Sequence, residues 1–419
     1  KDSEVEKPGQ VPLNYGEQNN LQDFEKSDKS ESLSVWSAYN LDEEVKHMIK
    51  EQNPDMVIEY ENFSTFEITE EYAKAYNDGT APDVIIIDPF SMGSFNSTNA
   101  FENLEKSPYN AEAMLSKYPK HLKGAFRSFD DKKLLALPVE VFPCVTFYRY
   151  DIIKQAGFPA EPEDLAVFMK DTENWLEMAK KFRENEQYIV SWHLNPLLYA
   201  DLSSNVFDSE LRYIRNYGIF TEMLKLSNTI DSLDLASSSR ISMNVEEGNS
   251  LETGKTVMFQ NSMRYINVIK EATKGKTDGK WRMTHLPFGL NAWSESAVAV
   301  ISSESNNKEA AWGVVKLLAN RHIDKMDKIM DPDKATNIYK YTVFGEQDID
   351  SLYRKLIEDI PEYHFTPLDE KAREIWWDEV TKDNSSSTSF TLTIHTVSQT
   401  VIRELEEDIT ILREILKNN

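Results

Sequence analysis

Residues 133–163 read KLLALPVEVFPCVTFYRYDIIKQAGFPAEPE, and the fold class turns on how this stretch is divided. Leu134, Leu135, Ala136 and Leu137 form an apolar run that stops at Pro138; Val145, Thr146, Phe147 and Tyr148 form a second, just past Pro143. Proline cannot donate to a strand ladder, so two strands meeting across this break suit a backbone that leaves one sheet and enters another. An amphipathic turn from Asp151 to Ala156 follows, Gly157 stands where a helix C-cap belongs, and Pro159 and Pro162 come after it.

Upstream, the pattern alternates. Ser32 to Trp36 reads as a strand, Leu41 onward as a helix with Val45, Met48 and Ile49 on one face, and Met56 to Tyr60 as a strand. A helix over Ile68 to Tyr76 ends at Asp78-Gly79, and Val84 to Ile87 is a continuous apolar run. Strand, helix, strand, helix, strand with fully apolar runs predicts a parallel sheet covered on both faces. Downstream, Pro162 to Arg183 reads as one helix with Leu165, Phe168, Met169, Trp175, Met178, Ala179 and Phe182 inward. Tyr188 to Trp192 reads as a strand running into His193-Leu194-Asn195-Pro196. Ala297 to Ile301 reads as a strand, Glu309 to Ala319 and Ser398 to Leu416 as helices, and 384–389 as a serine-rich loop.

The chain has 419 residues, and one hydrophobic core stops growing near ~250–300 residues, so two lobes are expected. No apolar run approaches the ~18–20 residues of a membrane span. The formal net charge of -25 repels nucleic acid and anionic lipid, and no Lys/Arg cluster counters it. Cys144 is the single cysteine, which excludes an internal disulfide and a thiolate metal cage; its neighbours Pro143 and Val145 read it as small and buried. The first 31 residues are polar, with Pro8, Gly9, Pro12 and Gly16, and predict a flexible leader.

Chemical motifs fail one by one. Gly248 and Gly254-Lys255-Thr256 are one residue too far apart for a phosphate loop, and a strand rather than a helix follows. Asp331 and Asp333 lack the glycine and glutamate of a calcium loop. The seven histidines show no metal-ligand spacing, and Gly-x-Ser-x-Gly is absent. What remains is aromatic and polar residues at strand ends, where ligands sit in open α/β sheets. These are Trp36, Tyr39 and Asn40; Asp88 and Phe90; Glu140 and Phe142; Trp192 and His193; and Gln260, Asn261 and Ser262. A sugar needs this mixture, because its C–H faces stack on aromatic rings and its hydroxyls pair with carboxylates and amides. Each aromatic has a competing reading as core, and Glu140 and Asp88 as solvated loop carboxylates.

The same residues carry a resemblance. Pro138, Phe147-Tyr148-Arg149-Tyr150-Asp151, Ile152-Ile153, Lys154, Ala156-Gly157 and Pro159 are similar to the crossover segment of the extracellular solute-binding proteins of ABC importers. That family includes maltodextrin-binding and other sugar-binding lipoproteins; Arg149 and Tyr150 depart from its commoner Asn-Lys. Gly79 to Ile85, Leu251 to Met258, Trp281 to Phe288 and Ser305 to Trp312 resemble its further elements, in order. The resemblance implies a two-lobed periplasmic-binding-protein-like α/β fold with a hinge and a central ligand cleft. Its lobes would be 32–138 plus 284–342 and 139–283 plus 343–419, joined by three crossings. It implies capture of a carbohydrate, an oligosaccharide above all, for a membrane permease, with no catalysis, no cofactor, no metal and no nucleic acid. It also implies a monomer at the outer cell surface, tethered by the leader after removal of a signal peptide and through a lipid-bearing cysteine. Trp376-Trp377 resembles the late second-lobe aromatic of sugar binders, and Trp293, before the Ala297 strand, lies near the returning crossover. Polyamine, peptide or metal on the same fold, or a carbohydrate-active enzyme, stand as alternatives.

Overall fold

The computed structural model describes residues 32–216, 218–237, 245–331, 333, 337–382 and 389–418. Among them run eight strands: β1 Ser32–Ser37, β2 Val57–Asn62, β3 Val84–Ile87, β4 Leu137–Glu140, β5 Cys144–Arg149, β6 Met258–Ser262, β7 Trp281–Thr284 and β8 Ala297–Ile301. The expected leader, 1–31, and nearly all of the serine-rich loop lie outside the described residues. Contacts divide the chain into two compact units. The first takes the chain up to Leu115, Phe126–Pro138 and Ala297–Asn320; the second takes Ser116–Ala125, Val139–Ser296 and Arg321–Asn419.

In the first unit, alternation along β1 buries Leu33, Val35 and Ser37 and leaves Trp36 half-buried on the other face. β1 pairs in parallel with β2 and β3, Val35 lying opposite Tyr60 and Val84. All four residues of β3 and all five of β8 are buried, as strands covered on both faces must be. The sheet order is β2-β1-β3-β8-β4, and β8 runs antiparallel to β3. The parallel pairing expected of the first three strands holds, and β8, reached only after the long excursion through 139–296, joins them antiparallel.

Two of the sequence elements that carried the resemblance meet at the start of these strands. The buried Asp83 carboxylate accepts from the Ser34 amide (2.9 Å) and the Ser305 hydroxyl (2.6 Å), while the Asn307 amide donates to the Ser32 carbonyl (2.9 Å). These side chains tie β1, β3 and the start of helix Lys308–Met330 together, so their job is architectural. Tyr72 anchors the core beside them, donating to the Ala100 carbonyl and stacking on Phe101 at 5.3 Å.

The deciding stretch divides as a change of sheet, with one shift. The first strand is Leu137–Glu140, running through Pro138 rather than ending at it. β4 is the edge of its sheet, the position where proline is tolerated within a strand. β5 is buried along its whole length and forms the middle of the second unit's antiparallel sheet, β6-β5-β7. Helix Tyr150–Gln155 follows, and Gly157 takes the left-handed conformation (φ 84°) expected just past a helix end.

Helix boundaries depart from the sequence reading in four places. The stretch expected as one helix over Pro162 to Arg183 is two, Pro162–Met169 and Thr172–Arg183, because the Asp171 carboxylate accepts from the Glu173 and Asn174 amides and starts a new helix. The expected last helix is likewise two, Phe390–Glu404 and Glu406–Asn418, although Val401, Leu405, Ile409 and Leu412 keep one buried stripe across the break. Glu309 to Ala319 extends to Lys308–Met330. Tyr188 to Trp192 makes only an isolated bridge to Thr256, and Asn195-Pro196, into which that strand was expected to run, opens helix Asn195–Leu202. Apolar periodicity continues through a capped break, so it cannot locate one. Cys144 is buried and free, its thiol pushed up by burial and then by the Glu295 charge.

Candidate functional site

In the first unit the candidate residues gather at the carboxyl ends of β1 and β3. The register sets Ser37 beside Ile86, and the Ala38 amide donates to the Ile86 carbonyl (2.9 Å), so Tyr39-Asn40 and Asp88-Pro89-Phe90 leave the sheet side by side. The Ser37 hydroxyl turns the chain by donating to the Tyr39 carbonyl (2.6 Å). Trp36 lies against Phe63, ring centroids 4.6 Å apart. Asp88 caps the short helix Pro89–Gly93, accepting from the Ser91 amide (2.9 Å) and hydroxyl (2.6 Å). Both of its oxygens are therefore engaged locally. Asn40 is exposed, and Tyr39 and Phe90 are half-buried.

The second unit assembles an aromatic cluster from distant parts of the chain. Trp192 and Trp377 stack, with centroids 5.9 Å apart and planes 24° from parallel. Trp377 Nε1 donates to Asp201 Oδ2 at 3.0 Å. Asp201, with its side chain fully buried, also pairs with Arg215 and with Arg373, whose Nε lies 3.1 Å from both carboxylate oxygens. Burial alone would raise this carboxyl; the Arg373 and Arg215 charges and the bonds from Arg373 and Trp377 hold it at about 2. The result is an indole held at a fixed pitch against a second indole, a flat apolar surface with a buried ionic support. His193 flanks Trp192 edge-on at 6.1 Å.

Trp376 has a different place. It is fully buried, with Phe220 at its edge and the Arg215 guanidinium over its ring, and belongs to the core. Trp293 is 6% exposed and lies flat on Tyr363, which lies flat on Phe365. Trp293 bridges Pro143, next to Phe142, and the Phe142 ring carries the Arg264 guanidinium at 5.0 Å. Glu140 pairs with Lys325 at 3.3 Å, and Lys325 in turn sits 4.6 Å from the centre of the Tyr339 ring. His322, fully buried with its Nδ1 3.9 Å from Glu140, is lowered by burial to about 4 and is neutral at ordinary pH. The Asn261 Oδ1 accepts from the Ser262 amide, and its neighbour Gln260 accepts from the Tyr199 hydroxyl at 2.8 Å. Gln260 Nε2 is buried and donates to no protein atom.

Sequence reasoning missed Asp201, Arg215, Arg373, Tyr363 and Tyr199. One signal was available: Arg373 and Trp377 stand four apart on helix Asp369–Thr381, hence on one face, and so share a partner. A separate groove of about 850 Å³ lies between helix Pro162–Met169, the 285–291 loop and helix Ile349–Asp359. It contains none of the candidate residues, and Lys355 pairs with Glu163 across it. It offers no aromatic face, so it does not suit a sugar. No group of acidic, histidine or cysteine side chains among the described residues could hold a metal ion, and no described helix is long and apolar enough to cross a membrane.

The family model of bacterial extracellular solute-binding proteins matches residues 35–321. No curated protein matches the sequence. Solved structures match almost end to end. The ABC transporter associated binding protein from B. animalis subsp. lactis, in complex with β-1,6-galactobiose, is 16% identical, covers 91% of this chain and 98% of its own, and superposes with a TM-score of 0.70. The galacto-N-biose-/lacto-N-biose I-binding protein of the ABC transporter from Bifidobacterium longum, in complex with lacto-N-biose, is 13% identical over 90% of this chain and 97% of its own (TM-score 0.71). The sugar-binding protein MalE from Xanthomonas citri is 16% identical over 93% and 100% (TM-score 0.66). At these identities the likeness establishes the fold.

Proposed function

The chain belongs to the bacterial extracellular solute-binding proteins, and on that premise we propose that it captures a carbohydrate, an oligosaccharide above all, and delivers it to the permease of an ABC importer. The observation that carries the reading is the Trp192–Trp377 stack with its Asp201 support. A rigid, flat aromatic surface suits the C–H face of a pyranose, and the polar ends of β1 and β3 in the first unit offer partners for hydroxyls. The ligands named with the similar structures, β-1,6-galactobiose and lacto-N-biose, support the same class.

Within that class, Trp192 presents the sugar-facing ring and Trp377 backs it. Trp376 stays in the core, so only one of the paired tryptophans serves the ligand. Capture works by hinge closure, and the closed form is what the permease reads. The protein acts as a monomer without chemistry on its cargo, at the cell surface by a lipid tether.

Thermal melting of the purified chain against a glycan panel, with spermidine and peptides as controls, tests the reading. A ligand at 100 times its Kd adds about 2.7 kcal/mol to the folded state, readily seen as a raised midpoint. A shift with a glycan and no turnover of it supports the proposal. A shift confined to spermidine or peptide overturns the ligand class, and hydrolysis of a glycan overturns the binding-only role.

A further inference from the structure

Phe66 is 89% exposed, the highest value among the large hydrophobic side chains of the described residues. Solitary exposed hydrophobics are common on protein surfaces and mean little alone. Phe66 differs in being held in place. It lies in the turn between β2 and helix Ile68–Asp78, and that turn is braced. The Ser64 amide (3.1 Å) and hydroxyl (2.7 Å) donate to the Glu67 carboxylate, and the Glu67 amide points back to the Ser64 hydroxyl at 3.2 Å. The arrangement is a reciprocal capping box, which fixes the entry into the helix and with it the backbone that carries Phe66.

The turn also has a location. The Phe63 amide donates to the Ser37 carbonyl (3.0 Å), pinning the turn to the carboxyl end of β1, and the Phe63 ring lies against Trp36. Trp36 and Phe63 therefore meet at the β1–β2 edge that presents Tyr39 and Asn40, and Phe66 follows three residues further along the same turn. An aromatic ring kept in water on a stiff turn, at the carboxyl end of a parallel strand pair, has the chemistry of a stacking surface for a pyranose.

We propose that Phe66 is an additional sugar contact, stacking on an outer residue of an oligosaccharide, and that it sets a preference for longer ligands. The inference rests on the carbohydrate reading above. Phe66 makes no contribution to the core, so its removal leaves the fold intact.

The test uses the full chain and two glycan series, maltose to maltotetraose and β-1,6-galactobiose to the tetrasaccharide, by calorimetric titration. Phe66→Ala is expected to keep the wild-type melting midpoint and the wild-type affinity for the disaccharide. Its affinity for the tri- and tetrasaccharide of the series that binds falls roughly 3- to 10-fold, the scale of one lost aromatic contact. A second readout reports contact directly: 4-fluorophenylalanine at position 66 shifts its ¹⁹F resonance along the same saturation curve as the calorimetry. Equal loss at every length, no loss at any length, or an unmoved ¹⁹F resonance while the glycan binds overturns the proposal. If the wild type binds no member of either series but does bind spermidine or peptide, the carbohydrate reading has failed and this inference falls with it.

Discussion

Two aspartates, one in each unit, show how differently the two halves of this protein build polar structure. Asp88 in the first unit is half-buried and satisfied by Ser91, three residues away. Asp201 in the second is fully buried and answers Arg215, Arg373 and Trp377, up to 176 residues away. The first is a local cap, which any chain with that short sequence forms. The second is an ionic hub whose stability depends on all its partners arriving together. The first unit sets its candidate side chains by strand ends and turns; the second sets them by a buried network.

The largest predicted effect sharpens that contrast. Asp201→Ala strands two arginines, one of them fully buried, and should cost about 3–5 kcal/mol in chemical denaturation, the range for breaking one partner out of a buried ion pair. A loss no bigger than that of a surface pair would mean the hub is relaxed by solvent and the contrast is false.

Next comes Asp369, buried at the start of the helix that carries Arg373 and Trp377 and accepting from the Thr366 amide and hydroxyl at 2.8 Å. Burial raises its carboxyl from 3.8 to about 6 against the pull of Thr366, Arg215 and Arg373. The folded form thus holds its proton longer than the unfolded one. The stability this group contributes is complete below about pH 3.8 and is lost as pH rises through about 6, on the order of 3 kcal/mol in all. Asp201 works in the opposite direction: its contribution is present above pH 3.8 and is lost as pH falls towards about 2. Denaturation of wild type and Asp369→Asn from pH 4 to pH 7 separates them, since the variant should lose the downward slope; an unchanged slope would remove Asp369 from the account.

In the first unit the effects shrink. Asp88→Ala removes one cap and should cost about 1 kcal/mol, read as a small shift of the denaturation midpoint. A cost of 3 kcal/mol or more would mean that Asp88, too, sits in a wider network. Lys74→Ala breaks solvent-exposed pairs with Glu70 and Glu71 and should leave the denaturation midpoint nearly unchanged, with whatever effect there is disappearing in high salt.

The same contrast explains what the sequence revealed. β1, β2, β3 and the helices between them were legible because alternation, apolar runs and Asp78-Gly79 are local signals. The sheet change at Pro138–Pro143 was legible for the same reason, although Pro138 proved compatible with an edge strand. The breaks at Asp171 and Leu405 were not, because the apolar stripe runs straight through both. Trp376 and Trp377 were indistinguishable as neighbours in sequence; a 100° step around a helix sends one into the core and the other to Asp201. The stack of Trp192 on Trp377, and the carboxylate that fixes it, depend on residues brought together only by the fold.

The most direct test of the central claim is a calorimetric titration of wild type and Trp192→Ala with whichever glycan raises the melting midpoint. If Trp192 is the face on which the sugar lies, the variant should melt close to wild type yet bind at least about tenfold more weakly, the worth of one well-placed aromatic contact. Unchanged affinity in a folded Trp192→Ala protein would contradict the account, placing the sugar elsewhere and leaving the Trp192–Trp377 stack as a purely structural feature.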